Sequence, residues 1–316
     1  MDTISRIQER HLEKDMIGFT GQTKSNQFGY GLPNMTELEI KAAQCRLNVI
    51  RMLRSSGHGH VGGSFSAIDI ISALYFYKMR VNPKDPQMKN RDRFILSAGH
   101  KCMAQYGVLA EKGYFEKSIL DSYGKLHSKI PGHPDMHKLP GIEANTGALG
   151  HGMAIAAGMA MALKVDKLDS KVYVMLGDGE LTEGSNWEAV AAASKFGLDN
   201  LVVFIDNNQL QISGKVVEVM DMRPIDEKFR AFGWEVLNIN GNNIFEIVSA
   251  LDNVDKMSGK PMMILSQTIK SKGLPIGEND PEFHFWKPSD KDLEQAENLL
   301  NKRIQSLQSG LEEVVR

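Results

Sequence analysis

Two stretches of sequence decide the fold: VYVMLGDGELTEG at residues 172–184 and LVVFIDNNQL at residues 201–210. Each begins with a short apolar run, which is typical of a strand buried inside a sheet. Each run then gives way to acidic, amide or glycine residues. The residues between the two runs have a helical pattern over about 183–197. A strand, a helix and a second strand in this order predict a βαβ unit with parallel strands.

Polar residues follow each of these two strands at the point where it ends. Asp178 lies between Gly177 and Gly179, and DNN at 206–208 ends the second strand. Because loops at the carboxyl ends of parallel strands share one edge of the sheet, a carboxylate and an amide oxygen are expected to meet there. Such hard oxygen ligands suit Mg²⁺ or Ca²⁺, which bridge to phosphate oxygens. Flanking glycines and helix N-terminal amides would let a diphosphate approach the backbone. Either loop alone is more simply a turn, and the pairing favours a binding site.

The same alternation of strands and helices extends in both directions. Further apolar runs predict strands at 93–97, 234–239 and 262–266. Helices are predicted at about 36–54, 70–79, 100–113, 146–164, 224–232, 243–259 and 289–313. The pattern Ser66-Ala67-Ile68-Asp69 is expected to cap the helix at 70–79. The prediction is an α/β fold, a mainly parallel sheet with helices on both faces.

The predicted domain organisation is simple. Residues 1–35 are polar and glycine-rich near FGYGLPN, and they predict an N-terminal extension. Residues 36–316 show no repeat, low-complexity tract or convincing linker, which predicts one domain.

Composition excludes several classes of function. The formal net charge of −2 gives no electrostatic reason to expect nucleic acid or an acidic membrane as partner. Cys45 and Cys102 are the only cysteines, and both are expected to be buried free thiols. The charged start MDTISRIQERHLEKD lacks the apolar region of a secretory signal, and no apolar run is long enough to span a membrane. A cytoplasmic enzyme is expected.

The two loops resemble the GDG…NN motif of enzymes that bind thiamine diphosphate. GDGELTEGSNWEA at 177–189 further resembles the corresponding run of transketolases. The resemblance implies a thiamine-diphosphate-binding fold in which Asp178, Asn208 and the backbone carbonyl of Leu210 hold Mg²⁺ (or Ca²⁺). It also implies contacts of Gly177 and Gly179 with the diphosphate.

Two glutamates of the same run match acidic positions near the subunit interface of the family. They are Glu183 and Glu188, and the resemblance assigns Glu183 to the cofactor site. Their simpler interpretation is as helix N-terminal charges that complement the helix dipole.

Four of the nine histidines also match the family. The matching segments are HVGGSFS at 60–66, FILSAGHKCMAQYG at 94–107, PGHPDMHKLPGIEANTGALG at 131–150 and, more loosely, SKGLPIGENDPEFHFW at 271–286. They assign His60, His100, His133, Gly147, Leu149 and His284 to the site. The last segment departs from the usual HG-type ending. A lone histidine is more often structural, but the glycine-rich setting of three of these favours a site.

The resemblance implies a function. Thiamine diphosphate and Mg²⁺ would support transfer of a two-carbon ketol unit from a ketose phosphate to an aldose phosphate. His60, His133 and His284 would contact the sugars and move protons, with His60 and His284 also near the cofactor, and His100 would support the diphosphate. His58 has no assigned role, and His137 and His151 are expected to be incidental.

The resemblance covers about residues 36–290, expected to be the first third of a full-length transketolase. In that family a further domain carries the glutamate that activates the cofactor and the arginines that bind the substrate phosphate. A separate C-terminal subunit is therefore expected to supply them, in an α2β2 assembly with self-association of this chain. Alone, the chain is expected to be inactive.

Three alternatives stay open. The α subunit of a 2-oxo acid dehydrogenase has a similar GDG loop, and 1-deoxyxylulose-5-phosphate synthases are related but carry all domains in one chain. A non-catalytic cofactor-binding or regulatory subunit is the third. The sugar phosphates and the pathway, pentose-phosphate metabolism or catabolism of a rarer sugar, are not determined by the sequence.

Overall fold

A computed structural model of the protein describes residues 34–212 and 214–310. The predicted N-terminal extension, apart from its last two residues, lies outside this part of the chain. The helices are α1 Met35–Ser56, α2 Val61–Ala73, α3 Cys102–Lys112, α4 Gly152–Val165, α5 Gly184–Lys195, α6 Val216–Val219, α7 Ile225–Ala231, α8 Ile244–Asn253 and α9 Asp290–Ser309. The strands are β1 Arg93–Leu96, β2 Val172–Gly177, β3 Leu201–Asn207, β4 Leu210–Gln211, β5 Gly214–Lys215, β6 Glu235–Asn240 and β7 Met262–Gln267.

Five of the strands form one sheet in the order β1-β2-β3-β7-β6, and every neighbouring pair is parallel. The register pairs Gly177 with Asp206, and Asp206 with Ser266. Strands β2, β3 and β7 therefore end level with one another, and the loops that follow them begin side by side. Strands β4 and β5 form a separate antiparallel pair.

The sheet is covered on both faces, and the alternation of side chains along each strand explains why. In β2, Tyr173 and Met175 pack on one face, in a core shared with α1, α2, α3, α8 and α9. Val172, Val174 and Leu176 pack on the other face, in a second core shared with α4, α5 and α7. A strand buried on both sides needs apolar residues at every position, which is the pattern of the central strands. The predicted α/β fold, with its parallel sheet between two helical layers, is confirmed.

Two predicted helix starts are wrong. Helix α2 begins at Val61, so Ser66 lies inside the helix and does not cap it. Helix α4 begins at Gly152, six residues later than expected. The segment before it contains Gly147 at φ 145° and Gly150 at φ 85°, backbone conformations that a right-handed helix excludes.

A buried ion pair holds the segment after β7 against α1 and α2. The guanidinium of Arg46 donates to both carboxylate oxygens of Asp69, at 2.7 and 2.9 Å. It also donates to the backbone carbonyls of Phe65 at 3.1 Å and Lys272 at 2.9 Å. Asn242 adds a bond to the same carboxylate at 2.9 Å. Both charges are thus satisfied by partners within the protein.

Cys45 and Cys102 are free thiols in the core, as predicted, and burial raises the pKa of each to about 12. Within residues 34–212 and 214–310, no helix is both long enough and apolar enough to cross a membrane.

Candidate active site

A cavity of about 290 Å³ opens at the carboxyl edge of the parallel sheet, where the loops after β1, β2, β3 and β7 meet. The structure brings nearly all of the predicted site residues to its wall: His60, His100, His133, Gly147, Leu149, Gly177, Asp178, Gly179, Asn208, Leu210 and His284. Segments that are far apart in sequence therefore converge on one place.

Glu183 does not line this cavity. It is an exposed residue at the N-terminus of α5. Gly150 lies so close to it that a Cβ atom added to this glycine would be 2.6 Å from the Glu183 Cβ. The first carbon atoms of its side chain thus pack against the loop that precedes α4. Glu188 is also exposed, on the outer part of α5.

The two predicted oxygen ligands lie on adjacent loops, as expected. Asp178 is 3% exposed, and its carboxylate accepts from the backbone N–H of Gly179 at 2.8 Å and of Gln209 at 2.5 Å. Burial, with a further contribution from the Asp206 carboxylate, raises the pKa of Asp178 to about 6. A buried carboxylate with a raised pKa gains from a nearby cation.

Asn208 is also buried, and both ends of its side-chain amide are oriented. Its Nδ2 donates to Asp206 at 3.3 Å, and its Oδ1 accepts from the Leu210 N–H at 3.1 Å. The Leu210 carbonyl accepts from the ammonium of Lys270 at 3.3 Å. Among the described residues, no cluster of three or more His, Cys, Asp or Glu side chains could hold a metal ion. The candidate set instead combines one carboxylate, one amide oxygen and one backbone carbonyl.

The four assigned histidines form one cluster. The ring centroid of His60 lies 5.6 Å from that of His100, 6.4 Å from that of His133 and 5.4 Å from that of His284. His100 and His284 are 5.3 Å apart. The loosely aligned His284 thus takes its place beside the other three.

A backbone connection holds the two ends of this cluster together. Gly59 and Trp286 exchange two hydrogen bonds, of 3.0 and 2.9 Å, in an isolated antiparallel bridge. Phe285, between His284 and this bridge, packs its ring 5.0 Å from that of His60 and 5.1 Å from that of His58. The bridge fixes His60 and His284 relative to each other.

Burial lowers the pKa of three of these histidines, His60, His100 and His284. Burial, and then the charge of Lys101, lowers the pKa of His100 to about 2. Burial, and then the charge of Lys270, lowers the pKa of His284 to about 3. Burial, with Lys101 as a further cause, lowers the pKa of Lys270 itself to about 8. Positive charge is therefore unfavourable along this wall, which an anion would relieve.

The charge of Lys270 also sets the tautomer of His284. The Lys270 Nζ lies 3.3 Å from Nδ1 of His284. A protonated lysine has hydrogens to donate and no lone pair to accept, so Nδ1 must be the acceptor. The ring proton is then on Nε2, which makes that atom a hydrogen-bond donor.

Several site residues were not assigned from the sequence. They are Lys101, Glu180, Gln211, Ile212 and Lys270, which line the cavity, and Asp206, which lies beneath it. Lysines in helices and loops are usually solvated, so nothing local marks Lys270. Lys101 carries a usable signal, because it is the lone charge at the start of the otherwise uncharged run CMAQYGVLA of α3. Asp206 carries another, at the end of a strand of buried residues.

Glu180 ties three of the site loops together. Its buried carboxylate accepts from the backbone N–H of Gly150 at 2.9 Å and of Gly177 at 3.1 Å, and from the hydroxyl of Ser97. Burial raises its pKa. Because three donors of the protein already hold this carboxylate, Glu180 supports the cavity wall.

The cavity fits a metal–diphosphate group on three further observations. Gln211 Nε2 is buried and, within the described residues, lacks a hydrogen-bond acceptor. At Gly179 a Cβ atom would lie 2.9 Å from the Gln211 side chain, and at Gly147 it would lie 2.9 Å from His133. The glycines therefore keep the cavity open. Asp178 gains from a cation, and the lysine-lined part of the cavity gains from an anion, so the fold and cavity suit an anionic cofactor together with a cation.

Comparison with known proteins agrees with this class. Residues 39–301 match the family described as "Transketolase, thiamine diphosphate binding domain". The chain is 41% identical to a subunit of the apulose-4-phosphate transketolase of Phocaeicola vulgatus, over 86% of this chain and 96% of that protein. It is also 41% identical to the 6-deoxy-6-sulfo-D-fructose transketolase subunit SqwG of Clostridium sp., over 83% of this chain and 99% of that protein.

Among solved structures, the transketolase of Campylobacter jejuni superposes with a TM-score of 0.77 at 30% identity, over 90% of this chain and 49% of that one. The chain thus spans about half of that full-length transketolase, more than the expected third. It belongs to the transketolase family, as the part that binds thiamine diphosphate. The prediction of a transketolase subunit is confirmed, and the 2-oxo acid dehydrogenase alternative is not favoured.

Proposed function

We propose that the protein is the N-terminal subunit of a two-chain transketolase that uses thiamine diphosphate and Mg²⁺. It transfers a two-carbon ketol unit from a ketose phosphate to an aldose phosphate. The observation that carries this proposal is the cavity itself, in which the Asp178 carboxylate and the cluster of four histidines line one space of about 290 Å³. A cation would satisfy the Asp178 carboxylate, and a diphosphate would accept hydrogen bonds from the histidines.

Each wall has its own part in the reaction. When bound, thiamine diphosphate supplies a nucleophilic carbon and an electron sink for the donor ketose. Asp178, Asn208 and the Leu210 carbonyl hold Mg²⁺ as oxygen ligands. Gly177 and Gly179 let the diphosphate approach the backbone, and Gly147 and Leu149 also line the cavity.

The histidines bind the sugar and move its protons. His284 presents Nε2–H as a donor because its Nδ1 accepts from Lys270. His60 lies between His284 and His133, so the three form a continuous row for hydroxyl groups of donor and acceptor. His100, the most strongly buried member, supports the diphosphate as a neutral donor.

A second chain is needed because the described part of this one offers no free carboxylate for the cofactor ring. The acidic side chains that line the cavity are Asp178 and Glu180. Asp178 is assigned to the metal, and Glu180 is held by two backbone amides and a hydroxyl. A C-terminal subunit supplies the activating glutamate and the substrate-phosphate site. Both of the relatives described above are named as subunits of a transketolase, which supports such a division.

Self-association of this chain, in an α2β2 assembly, belongs to the same proposal. Helices α4 and α5 form a shallow groove lined by small residues together with Met161, Glu188 and the 57%-exposed Phe196. A second copy would cover this apolar surface. The cytoplasmic location stays a prediction.

The substrates are proposed at the level of the family. The two relatives described above are named for a sugar phosphate and for a sulfonated sugar, so the terminal anion of the substrate differs between them. Sugar phosphates are the first candidates for this chain, and pentose-phosphate metabolism is one setting for them.

The decisive experiment assays transfer from xylulose 5-phosphate to ribose 5-phosphate, with thiamine diphosphate and Mg²⁺. It uses this chain alone, the product of a neighbouring gene alone, and the mixture. We expect activity in the mixture only, and its loss when Asp178→Ala replaces the wild-type chain.

Two other results would redirect the proposal. Magnesium-dependent cofactor binding without turnover on this pair, but with turnover on sulfonated or branched sugars, would reject the substrates alone. Cofactor binding with no turnover in any mixture would favour a non-catalytic subunit.

A further inference from the structure

Lys101 is a buried lysine at the floor of the cavity. It is 2% exposed, and its ammonium lies 2.5 Å from the carboxylate of Asp206, which is fully buried. The loop after β1 places it there, one residue beyond His100. Burying a lysine is costly unless its charge is compensated, so its position requires a reason.

Asp206 does not need Lys101 to satisfy its carboxylate. It also accepts hydrogen bonds from the Ser66 hydroxyl at 2.7 Å, from the Asn208 amide at 3.3 Å and from the Thr268 hydroxyl. Three neutral donors from α2, the loop after β3 and the segment after β7 therefore hold this carboxylate. Asp206 is the anchor, and Lys101 is the group that it holds in place.

Lys101, by contrast, is left with unused donors. Its ammonium has three N–H groups, and within residues 34–212 and 214–310 its one hydrogen-bond acceptor is Asp206. The remaining N–H groups have no acceptor in the described protein. A buried ammonium that faces a cavity with spare donors is suited to an anion in that cavity.

The glycines around the lysine show which way it faces. A Cβ atom at Gly63 would lie 2.9 Å from Lys101 Cε, so this glycine lets the lysine side chain pass close to the α2 backbone. A Cβ atom at Gly177 would lie 3.5 Å from the Nζ atom. Both glycines and Lys101 itself line the cavity. The ammonium therefore lies against the backbone that directly precedes Asp178.

We propose that Lys101 is a diphosphate-binding residue, held on Asp206 so that its free N–H groups donate to diphosphate oxygens at the floor of the cavity. This inference rests on the proposed function. It assigns to the chain a fixed cation of its own, in addition to the Mg²⁺ held by Asp178 and Asn208. The Asp206 carboxylate acts as a positioning residue for both the lysine and the Asn208 amide.

The test measures binding without turnover. Dissociation constants for thiamine diphosphate and for inorganic diphosphate, at saturating Mg²⁺, are obtained by calorimetry for the wild-type chain, Lys101→Met and Lys101→Met/Asp206→Asn. Because a charge-assisted hydrogen bond is lost, we expect both ligands to bind about 10- to 100-fold more weakly to Lys101→Met. The double variant leaves no unpaired buried carboxylate, and it should still bind at least about tenfold more weakly than wild type.

The matched control is Arg46→Met/Asp69→Asn, which removes the other buried ion pair described above. It should leave both dissociation constants within about twofold of wild type. Equal weakening in the two double variants, or wild-type affinity in Lys101→Met, would overturn the proposal for Lys101. If the wild-type chain binds no thiamine diphosphate even when mixed with its C-terminal partner, the proposed function fails, and this inference fails with it.

Discussion

The two buried ion pairs described above differ in how completely they are satisfied. Arg46 makes four hydrogen bonds, two to Asp69 and two to backbone carbonyls, and it does not line the cavity. Within the described residues Lys101 makes one bond, to Asp206, and it lines the cavity. Burial and charge are similar in the two pairs. The contrast teaches that spare donors and acceptors distinguish a pair that binds a ligand from one that holds a fold.

The carboxylates differ in the opposite sense. Without its cation, Asp206 keeps three donors, whereas Asp69 keeps one, from Asn242. The buried Asp69 carboxylate thus depends on Arg46 for most of its hydrogen bonds, whereas the buried Asp206 carboxylate depends less on Lys101. The following three predictions test this comparison, from the largest expected effect to the smallest.

Removing the structural cation should have the largest effect. Arg46→Met leaves Asp69 buried with a single donor, and we expect a loss of about 3–5 kcal/mol in the free energy of unfolding. Lys101→Met should cost less, because Asp206 keeps three partners. Urea unfolding of both variants measures the difference. A larger loss for Lys101→Met would contradict the distinction between the two pairs.

A change of pH should alter the affinity for thiamine diphosphate through the ionisation of Asp178. Metal binding needs the ionised carboxylate, and burial raises its pKa to about 6. Magnesium-dependent affinity for thiamine diphosphate should therefore be full above about pH 7. Below pH 6 it should fall by about tenfold per pH unit, as one proton competes with the cation. Calorimetry near pH 6 should also detect proton release on binding.

The control for this pH dependence is Asp178→Asn, which should bind the cofactor weakly at every pH and show no such step. Unchanged wild-type affinity at pH 5 would mean that Asp178 is not a metal ligand.

The smallest effect is expected for Glu183→Gln, because its exposed carboxylate lies outside the cavity. The dissociation constant of thiamine diphosphate should change by less than about twofold for the chain alone. Glu180→Ala, three residues earlier, provides the contrast: it removes the acceptor for two backbone N–H groups of the cavity wall and should weaken binding by about tenfold. Strong weakening by Glu183→Gln would restore its sequence-based assignment to the cofactor site.

Sequence determined the parts of the site that depend on strand ends. Asp178 and Asn208 could be placed because parallel strands deliver their loops to one edge, whatever the details of packing. Lys101 and Lys270 could not, since their roles depend on which residues surround them after folding. The start of α4 was misplaced for a related reason: Gly147 and Gly150 have positive φ angles and pack closely against His133 and Glu183, contacts that no local pattern reveals.

The bridge between Gly59 and Trp286 has a consequence for the newly synthesised chain. At about 5–20 residues per second, the ribosome needs on the order of ten seconds or more to add the residues that separate these two positions. All five strands of the sheet, the last ending at Gln267, leave the ribosome before Trp286 does. A translation product interrupted between Gln267 and His284 would therefore contain every strand of the sheet. It would lack the part of the cavity wall that His284 contributes. The capacity to bind the cofactor therefore arises only late in translation.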